Sequence, residues 1–393
     1  MIEKKKIKIL HTSTIPLSIK AFTLSFLKYI KGKGFDVYVA SSPGKEEAHI
    51  TSAGIPFFPL PISRTIKPYS DFKAILWLYW LIKKEKFDIV HSQTAKAGYV
   101  TRIAGRLAGA PVIIYTAHAF PFHAYLSPMR KRLYIFLERL ASKMTDVILV
   151  DSEAVKWDGI RERIKEPEKI VTVNMGVDLQ KFSPERMNRF QIRKRWGIED
   201  RQVVVGTVAN FVPDKGLDSF LRIADQIKRE KENVKFLLVG DGPLRPQLES
   251  LRDTLHLRKD VIFTGFSEEI PEMMSAMDVF CLPTLREGFG VVFAEAMAMR
   301  LPVVTSDIDP VPEVVTENET GILIPLGRED LFKEAIISLI NDNKRQREMG
   351  ERGRKRVEQY FDEKFMFDRT LRVYEDLIRT KGLWSNPITR EME

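Results

Sequence analysis

Cysteine is nearly absent: Cys281 alone stands in 393 residues, which excludes an intrachain disulfide framework, and its apolar neighbours mark it as a buried thiol. No apolar run approaches the roughly 20 residues of a membrane span. The opening Met1-Ile2-Glu3-Lys4-Lys5-Lys6 runs into a strand pattern rather than a signal-peptide apolar region, so a reducing, cytoplasmic setting is expected. Tandem repeats and low-complexity segments are also absent. No G-x-G-x-x-G follows either opening strand of the pattern below, which argues against a dinucleotide-dependent dehydrogenase. Histidines His11, His91 and His118 each end a predicted strand and should point toward a cleft. No Asp, Glu or Cys accompanies them at ligand-like spacing, so no metal site is expected there. His49 and His123 have no comparable context.

What is present describes a globular chain long enough for two domains, with 29% charged and 44% hydrophobic residues. A formal charge of +9 favours an acidic partner such as a phosphorylated substrate or an anionic membrane surface. Net charge alone does not make a nucleic-acid binder, and none is expected.

Strand-like runs recur at Lys6 to Leu10, Asp36 to Ala40, Asp88 to His91, Val112 to Thr116, Asp146 to Val150 and Ile170 to Val173. Helical stretches at Leu17 to Lys31, Asp71 to Lys86, Lys96 to Ala108 and Pro128 to Lys143 separate them. A second series, Val203 to Val208, Lys235 to Val239, Val261 to Thr264, Asp278 to Leu282 and Pro302 to Thr305, begins after a pause around Asn174-Met175-Gly176-Val177-Asp178. Alternating β and α segments make parallel sheets whose ligands lie at the carboxyl ends of the strands. Two such domains in series imply a cleft between them.

The centre of the pattern is Leu285-Arg286-Glu287-Gly288-Phe289-Gly290-Val291-Val292-Phe293-Ala294-Glu295-Ala296-Met297-Ala298, which follows the buried-strand run Asp278 to Leu282. Gly288 and Gly290 let the backbone approach a ligand, and the helix behind them directs free N–H groups and a positive dipole end at it. A phosphate suits that position. The two carboxylates suit hydroxyls: a fully helical Glu287-to-Glu295 segment would span ~12 Å at 1.5 Å per residue, about the separation of the sugars flanking a diphosphate.

This E-G-F-G-V-V-F-A-E-A-M-A stretch resembles the donor-sugar motif of the retaining GT-B glycosyltransferases of family 4, in the subgroup that builds bacterial surface polysaccharides and lipid-linked oligosaccharides. The resemblance implies two Rossmann-like βα domains facing across a cleft. It divides the chain into an acceptor-side domain at 1–175, a nucleotide-sugar-binding domain at 176–365 and a crossover helix and tail at 366–393. It implies transfer of a hexose or N-acetylhexosamine from a UDP-linked sugar to a lipid-linked or polysaccharide acceptor, with no metal or other cofactor. Glu287 would lie near the hexose, Glu295 would hold the ribose, and the Gly288, Phe289, Gly290 and Val291 backbone would meet the diphosphate.

Other segments extend the resemblance. Lys215, in Asn210-Phe211-Val212-Pro213-Asp214-Lys215-Gly216, would neutralise the leaving diphosphate, while Asn210 stands where the family carries arginine. Val239-Gly240-Asp241-Gly242-Pro243 reads as a strand and tight turn with Pro243 as first helical residue. Phe266 would set its backbone against the base, or else serve as core. Ala117-His118-Ala119-Phe120-Pro121-Phe122 resembles the H-G-F-x-F segment whose histidine contacts the hexose. The loop Thr12-Ser13-Thr14-Ile15-Pro16-Leu17-Ser18 offers the hydroxyls of Ser13 and Thr14 where many relatives carry a Gly-Gly pair. Ser92-Gln93-Thr94-Ala95-Lys96-Ala97-Gly98 resembles H-T-H-x-x-K-A-G and would bring Lys96 to an acceptor diphosphate, unless it is an ordinary first-turn lysine.

Asp307-Ile308-Asp309 spells the D-x-D of metal-dependent transferases, but its place before Pro310 fits a helix cap. Ala74 to Lys84 reads as a packed helix with a solvated basic end. Met129-Arg130-Lys131-Arg132-Leu133-Tyr134-Ile135-Phe136 mixes cations and aromatics, and reads as an interfacial helix on the inner face of the cell membrane. Two other classes compete with transfer: a nucleotide-sugar epimerase, which would consume donor without acceptor, and a noncatalytic sugar-binding or membrane-scaffold module, which Asn210 and the missing glycine pair would fit.

Overall fold

The computed structural model describes residues 6–63, 65, 67–122 and 126–384. The Met1 to Lys5 opening, His123 and the tail beyond 384 lie outside it. The chain forms two compact units: one runs through Asn174 and resumes at Phe367, and the other is Met175–Met366.

The first unit holds seven parallel strands: β1 (Lys8–Thr12), β2 (Asp36–Ser41), β3 (Phe57–Pro59), β4 (Ile89–Gln93), β5 (Val112–Ala117), β6 (Val147–Val150) and β7 (Ile170–Thr172), in the order β3-β2-β1-β4-β5-β6-β7. The second holds six: β8 (Val203–Val208), β9 (Val234–Val239), β10 (Val261–Gly265), β11 (Val279–Leu282), β12 (Val303–Ser306) and β13 (Gly321–Ile324), in the order β10-β9-β8-β11-β12-β13. β3 and β13 were not expected from the sequence. β3 is three residues long and β13 begins at a glycine, so neither offers a sustained β-branched run. Strand order reverses between β1 and β4 in one sheet and between β8 and β11 in the other. Such switch points open a crevice at the strands' carboxyl ends, where α/β proteins bind ligands.

Most strands are buried on both faces, as helices on each side of a parallel sheet require; β5, β6 and β11 have no exposed position. Cys281 is fully buried on β11, and burial pushes its thiol pKa up. The expected Leu17 to Lys31 helix is two, Pro16–Phe22 and Leu24–Gly32, because Thr23 leaves helical geometry (φ −131°) and turns its hydroxyl back to Ile19 O at 3.1 Å.

Gly176 explains the pause in the pattern. Val177 N donates to Phe361 O at 2.8 Å and Glu363 N to Val177 O at 3.1 Å, so two chain segments run side by side. A Cβ on Gly176 would lie 2.3 Å from Glu363 Cα, and only glycine fits. Beyond that point the helix Glu363–Thr380 enters the first unit. Phe367 meets Phe26 there, and Tyr29 donates to Asp368 at 2.6 Å.

Candidate active site

In the second unit, the loops after β8 and β11 close on each other at the switch point. Asp214 O accepts from Thr284 Oγ1 at 2.9 Å and from Leu285 N at 2.8 Å. Gly216 sits at φ +59°, and a Cβ there would fall 2.0 Å from Pro283 O, so the approach depends on glycine. The loops are tied again by Lys215 Nζ donating to Glu287 Oε1 at 2.7 Å, with the Glu287 side chain only 8% exposed. Two residues 72 positions apart thus form one ion pair.

Gly290 occupies φ +86° and opens the helix Val291–Ala298 without a side-chain cap; its first turn closes with Phe293 N donating to Gly290 O at 2.9 Å, and the N-terminal N–H groups ahead of it carry the positive end of the dipole. That left-handed residue also corrects the spacing argument. Glu287 to Gly290 are not helical, so the ~12 Å rise estimated for a continuous helix does not apply. The Phe289 ring is buried against Phe361 at 5.6 Å, so its side chain belongs to the core and only its backbone can serve a ligand.

Glu295 lies one turn into the helix, half-buried, and burial pushes its carboxyl up to about 7 with Lys181 opposing. Asn210 is exposed, with no side-chain partner among the described residues. Phe266 is 64% exposed, which rules out the core alternative. Pro243 is not helical: the helix after β9 begins at Arg245. Asp307 and Asp309 do not cap the following helix. Its N-cap is Pro310, it is four residues long, and both aspartates are exposed. No group of three His, Cys, Asp or Glu placed to hold a metal occurs among the described residues.

The first unit closes its switch point with neutral groups. Thr14 Oγ1, after β1, meets Thr94 Oγ1, after β4, at 2.9 Å. Thr94 holds φ +68°, which a β-branched residue adopts only under strain of about 1–3 kcal/mol. Ser13 is buried and its hydroxyl has no partner among the described residues; the same holds for Gln93 Oε1 on the neighbouring strand end. Gln93 escaped the sequence reading because it lies among ordinary polar residues.

Lys96 behaves differently from the acceptor-contact expectation. Its ammonium lies 2.7 Å from Asp71 Oδ1 and donates to Ser63 Oγ and Thr65 O. Its charge is already matched, and it ties two helices to a loop.

Two of the three strand-end histidines are buried within the first unit. His11 and His91 are buried, and both bond the Tyr374 hydroxyl of the C-terminal helix, at 2.8 and 2.5 Å. His91 Nε2 also meets Thr116 Oγ1 at 2.7 Å, while His11 Nδ1 has no partner among the described residues. The assignment that leaves a lone pair rather than a buried N–H unmatched has His11 Nε2–H donating to Tyr374 and Tyr374 donating to His91 Nδ1. Burial pushes His11 down to about 3 and drives His91 well below its usual range, so both stay neutral.

His118 is the one that remains available. Register places it beside Asp151, one step past the Ala117–Val150 pair, and its Nδ1–H donates to Asp151 Oδ2 at 2.7 Å. Burial alone would lower its pKa, but the Asp151 carboxylate overrides this and raises it. Nε2 has no partner.

The outer faces of two helices in this unit are apolar. Pro68–Glu85 buries Ala74, Leu78 and Ile82 but exposes Tyr69, Phe72, Leu76 and Trp80, so the packed-helix reading holds for its inner face only. Pro128–Ser142 exposes Met129, Leu133, Phe136 and Leu140. The acidic residues of both helices are paired within the unit: Asp71 with Lys96, Glu85 with Lys8 at 4.0 Å and Glu138 with Arg102 at 2.9 Å. No helix among the described residues is long and apolar enough to cross a membrane.

Two doubly wound parallel sheets in series are the architecture of the GT-B transferases, and the comparisons with known proteins agree. Residues 188–356 match the family model described as Glycosyl transferases group 1, and residues 19–181 match Glycosyltransferase Family 4. Over 86% of its length the chain is 31% identical to an Escherichia coli UDP-Gal:alpha-D-GlcNAc-diphosphoundecaprenol alpha-1,3-galactosyltransferase, covering 89% of that protein. It is 29% identical to the capsular polysaccharide biosynthesis glycosyltransferase CapM of Staphylococcus aureus, over 95% of this chain and 98% of that one. The fold matches the crystal structure of Anabaena Alr3699/HepE in complex with UDP and glucose, with a TM-score of 0.81 and 20% identity, over 94% of this chain and all of that one. The chain belongs to glycosyltransferase family 4.

Proposed function

We propose that this glycosyltransferase moves a hexose or N-acetylhexosamine from a UDP-sugar to a lipid-linked or polysaccharide acceptor, with retention and without a metal ion. The observation that carries the reading is the Lys215–Glu287 pair at the β8/β11 switch point, set against the uncapped helix at Gly290. A departing diphosphate gains charge as the glycosidic bond breaks. Lys215 and the Gly288 to Val291 backbone would stabilise it where that charge develops, and a fixed ammonium and helix dipole supply what a divalent cation otherwise would. Glu287 and His118 position the hexose, and Glu295 accepts from the ribose hydroxyls. Asn210 donates a hydrogen bond near the diphosphate, and the Phe266 backbone lies by the base. Ser13 and Thr14 face the acceptor. The acceptor attacks from the face the diphosphate leaves, and the leaving phosphate takes its proton.

The E. coli relative's name supports a UDP-sugar donor and a diphosphoundecaprenol-linked acceptor, and that of CapM supports a polysaccharide product. A lipid-linked acceptor places the enzyme at a membrane. The apolar rows Tyr69/Phe72/Leu76/Trp80 and Met129/Leu133/Phe136/Leu140 stand beside Lys73, Lys83, Arg130 and Arg132. With the local carboxylates paired, they form a cationic amphipathic face for an anionic inner leaflet.

The test is UDP release from a panel of UDP-sugars with a polyprenyl-diphosphate sugar acceptor, with and without EDTA. Acceptor-dependent release that survives EDTA supports the reading. Activity lost in EDTA and restored by magnesium would overturn the metal-free step, and donor consumption without acceptor would favour the epimerase.

A further inference from the structure

The glycosyltransfer reading gives His118 a sugar contact but leaves open what makes its ring fit for one. We propose that Asp151 is a positioning residue for the transfer reaction: it pins Nδ1–H of His118, so that Nε2 is the atom the ring presents to the bound sugar, and supplies the negative charge that keeps Nε2 protonated as a donor.

Four observations converge on this. The Nδ1–Asp151 bond is short, at 2.7 Å, and the carboxylate side chain is only 7% exposed, so little water competes for it. Strand register fixes the pair, since Ala117 lies opposite Val150 and the residues immediately after β5 and β6 are His118 and Asp151. The Asp151 loop is itself held, with Asn174 Nδ2 donating to Asp151 O at 3.0 Å. Finally, His118 Nε2 is buried and has no partner among the described residues. A buried polar nitrogen without a partner is costly unless a ligand satisfies it.

Among the described residues the charge on the ring has one source. Among the titratable groups around it, His91 on β4 is buried and neutral; from Pro16–Phe22 the Phe22 ring lies against the imidazole at 5.3 Å and carries no charge. Asp151 is left to set the protonation. A neutral ring with Nδ1–H bound to Asp151 would offer Nε2 only as an acceptor, whereas the imidazolium offers it as a donor. A donor at this position reads a sugar hydroxyl by its lone pair and places positive charge near a reaction that releases an anion.

The experiment is a nitrogen-15 NMR titration of His118 in wild type, Asp151→Asn and Asp151→Glu, paired with pH profiles of kcat and KM for UDP-sugar consumption. The wild-type midpoint should lie above the ordinary value of about 6.5. In Asp151→Asn it should fall, and the alkaline limb of kcat should move to lower pH by the same amount, with the UDP-induced thermal shift unchanged. Asp151→Glu should restore part of both. A wild-type midpoint at or below the ordinary value would overturn the proposal even if the asparagine variant does not fold, as would superimposable profiles of wild type and Asp151→Asn. If wild type consumes no UDP-sugar, the transfer reading fails while the titration still decides what Asp151 does to His118.

Discussion

Both sheets reverse strand order between their opening strand and the next strand on the far side, yet the two crevices are tied by opposite chemistry. Between β8 and β11 the bond is ionic, Lys215 to Glu287, with glycines holding the loops at contact distance. Between β1 and β4 it is a neutral pair of hydroxyls, Thr14 to Thr94, flanked by Ser13 Oγ and Gln93 Oε1, which have no partner among the described residues. The first unit's cations near that edge are matched, Lys96 by Asp71 and Arg102 by Glu138. One switch point is therefore tied by charged side chains and the other by neutral ones. The same architecture sets where a ligand lies, while the side chains closing the crevice set its kind.

The largest expected effect falls on the ionic side. Lys215→Ala should lower kcat by roughly 100- to 1,000-fold, as removal of a charge-stabilising donor does, and Glu287→Gln should depress transfer strongly with folding intact. Near-normal UDP release from either variant would dissolve the contrast between the two edges.

On the neutral side the first effect is on stability. Tyr374→Phe strips the hydroxyl shared by His11 and His91 and should cost about 1–3 kcal/mol in urea unfolding, with UDP binding by the second unit unaltered. A change in UDP affinity without a change in stability would show that this network serves the donor site instead.

Glycine substitution sharpens the comparison of backbones. Gly290→Ala meets φ +86° and the Phe293 ring at 2.5 Å, so it should destabilise by more than about 1 kcal/mol and abolish the UDP thermal shift. Thr94→Gly should change stability less, because relief of the positive φ offsets the lost hydroxyl contact.

The smallest effect is in pH. Glu295 moves from an ordinary 4.5 to about 7 through burial. Between those values the folded protein keeps a proton that the unfolded chain has released, so this residue's contribution to stability declines as pH rises through the window. If the carboxylate binds the ribose, UDP affinity should decline as pH falls below 7, by up to about tenfold per unit in the limit that only the ionised form binds. Glu295→Gln should flatten both trends, which calorimetry across pH 5 to 8 would detect. Affinity that rises on acidification would remove Glu295 from the ribose site.

Much of this was readable before any coordinates. Strands β8 to β12 fall within a residue or so of the β-branched runs that mark them, and Gly290 marked the turn into the helix, where it adopts φ +86°. Asp151 was missed because nothing in its neighbourhood spells a motif; only the β5/β6 register makes it His118's partner. The helix Pro68–Glu85 looked packed because a sequence apolar on both faces does not say which face meets the core.

The sequence by itself determined the βα alternation, the glycine turn into Val291–Ala298 and the chemical types available at each strand end, because these depend on residues within a turn or two of one another. Tertiary structure alone decided that Lys215 meets Glu287, that Lys96 is matched by Asp71, and that of three similar strand-end histidines two are locked to Tyr374 while His118 keeps Nε2 free. Those outcomes depend on sheet order and on a helix arriving from more than 280 residues away, and local periodicity carries no record of either.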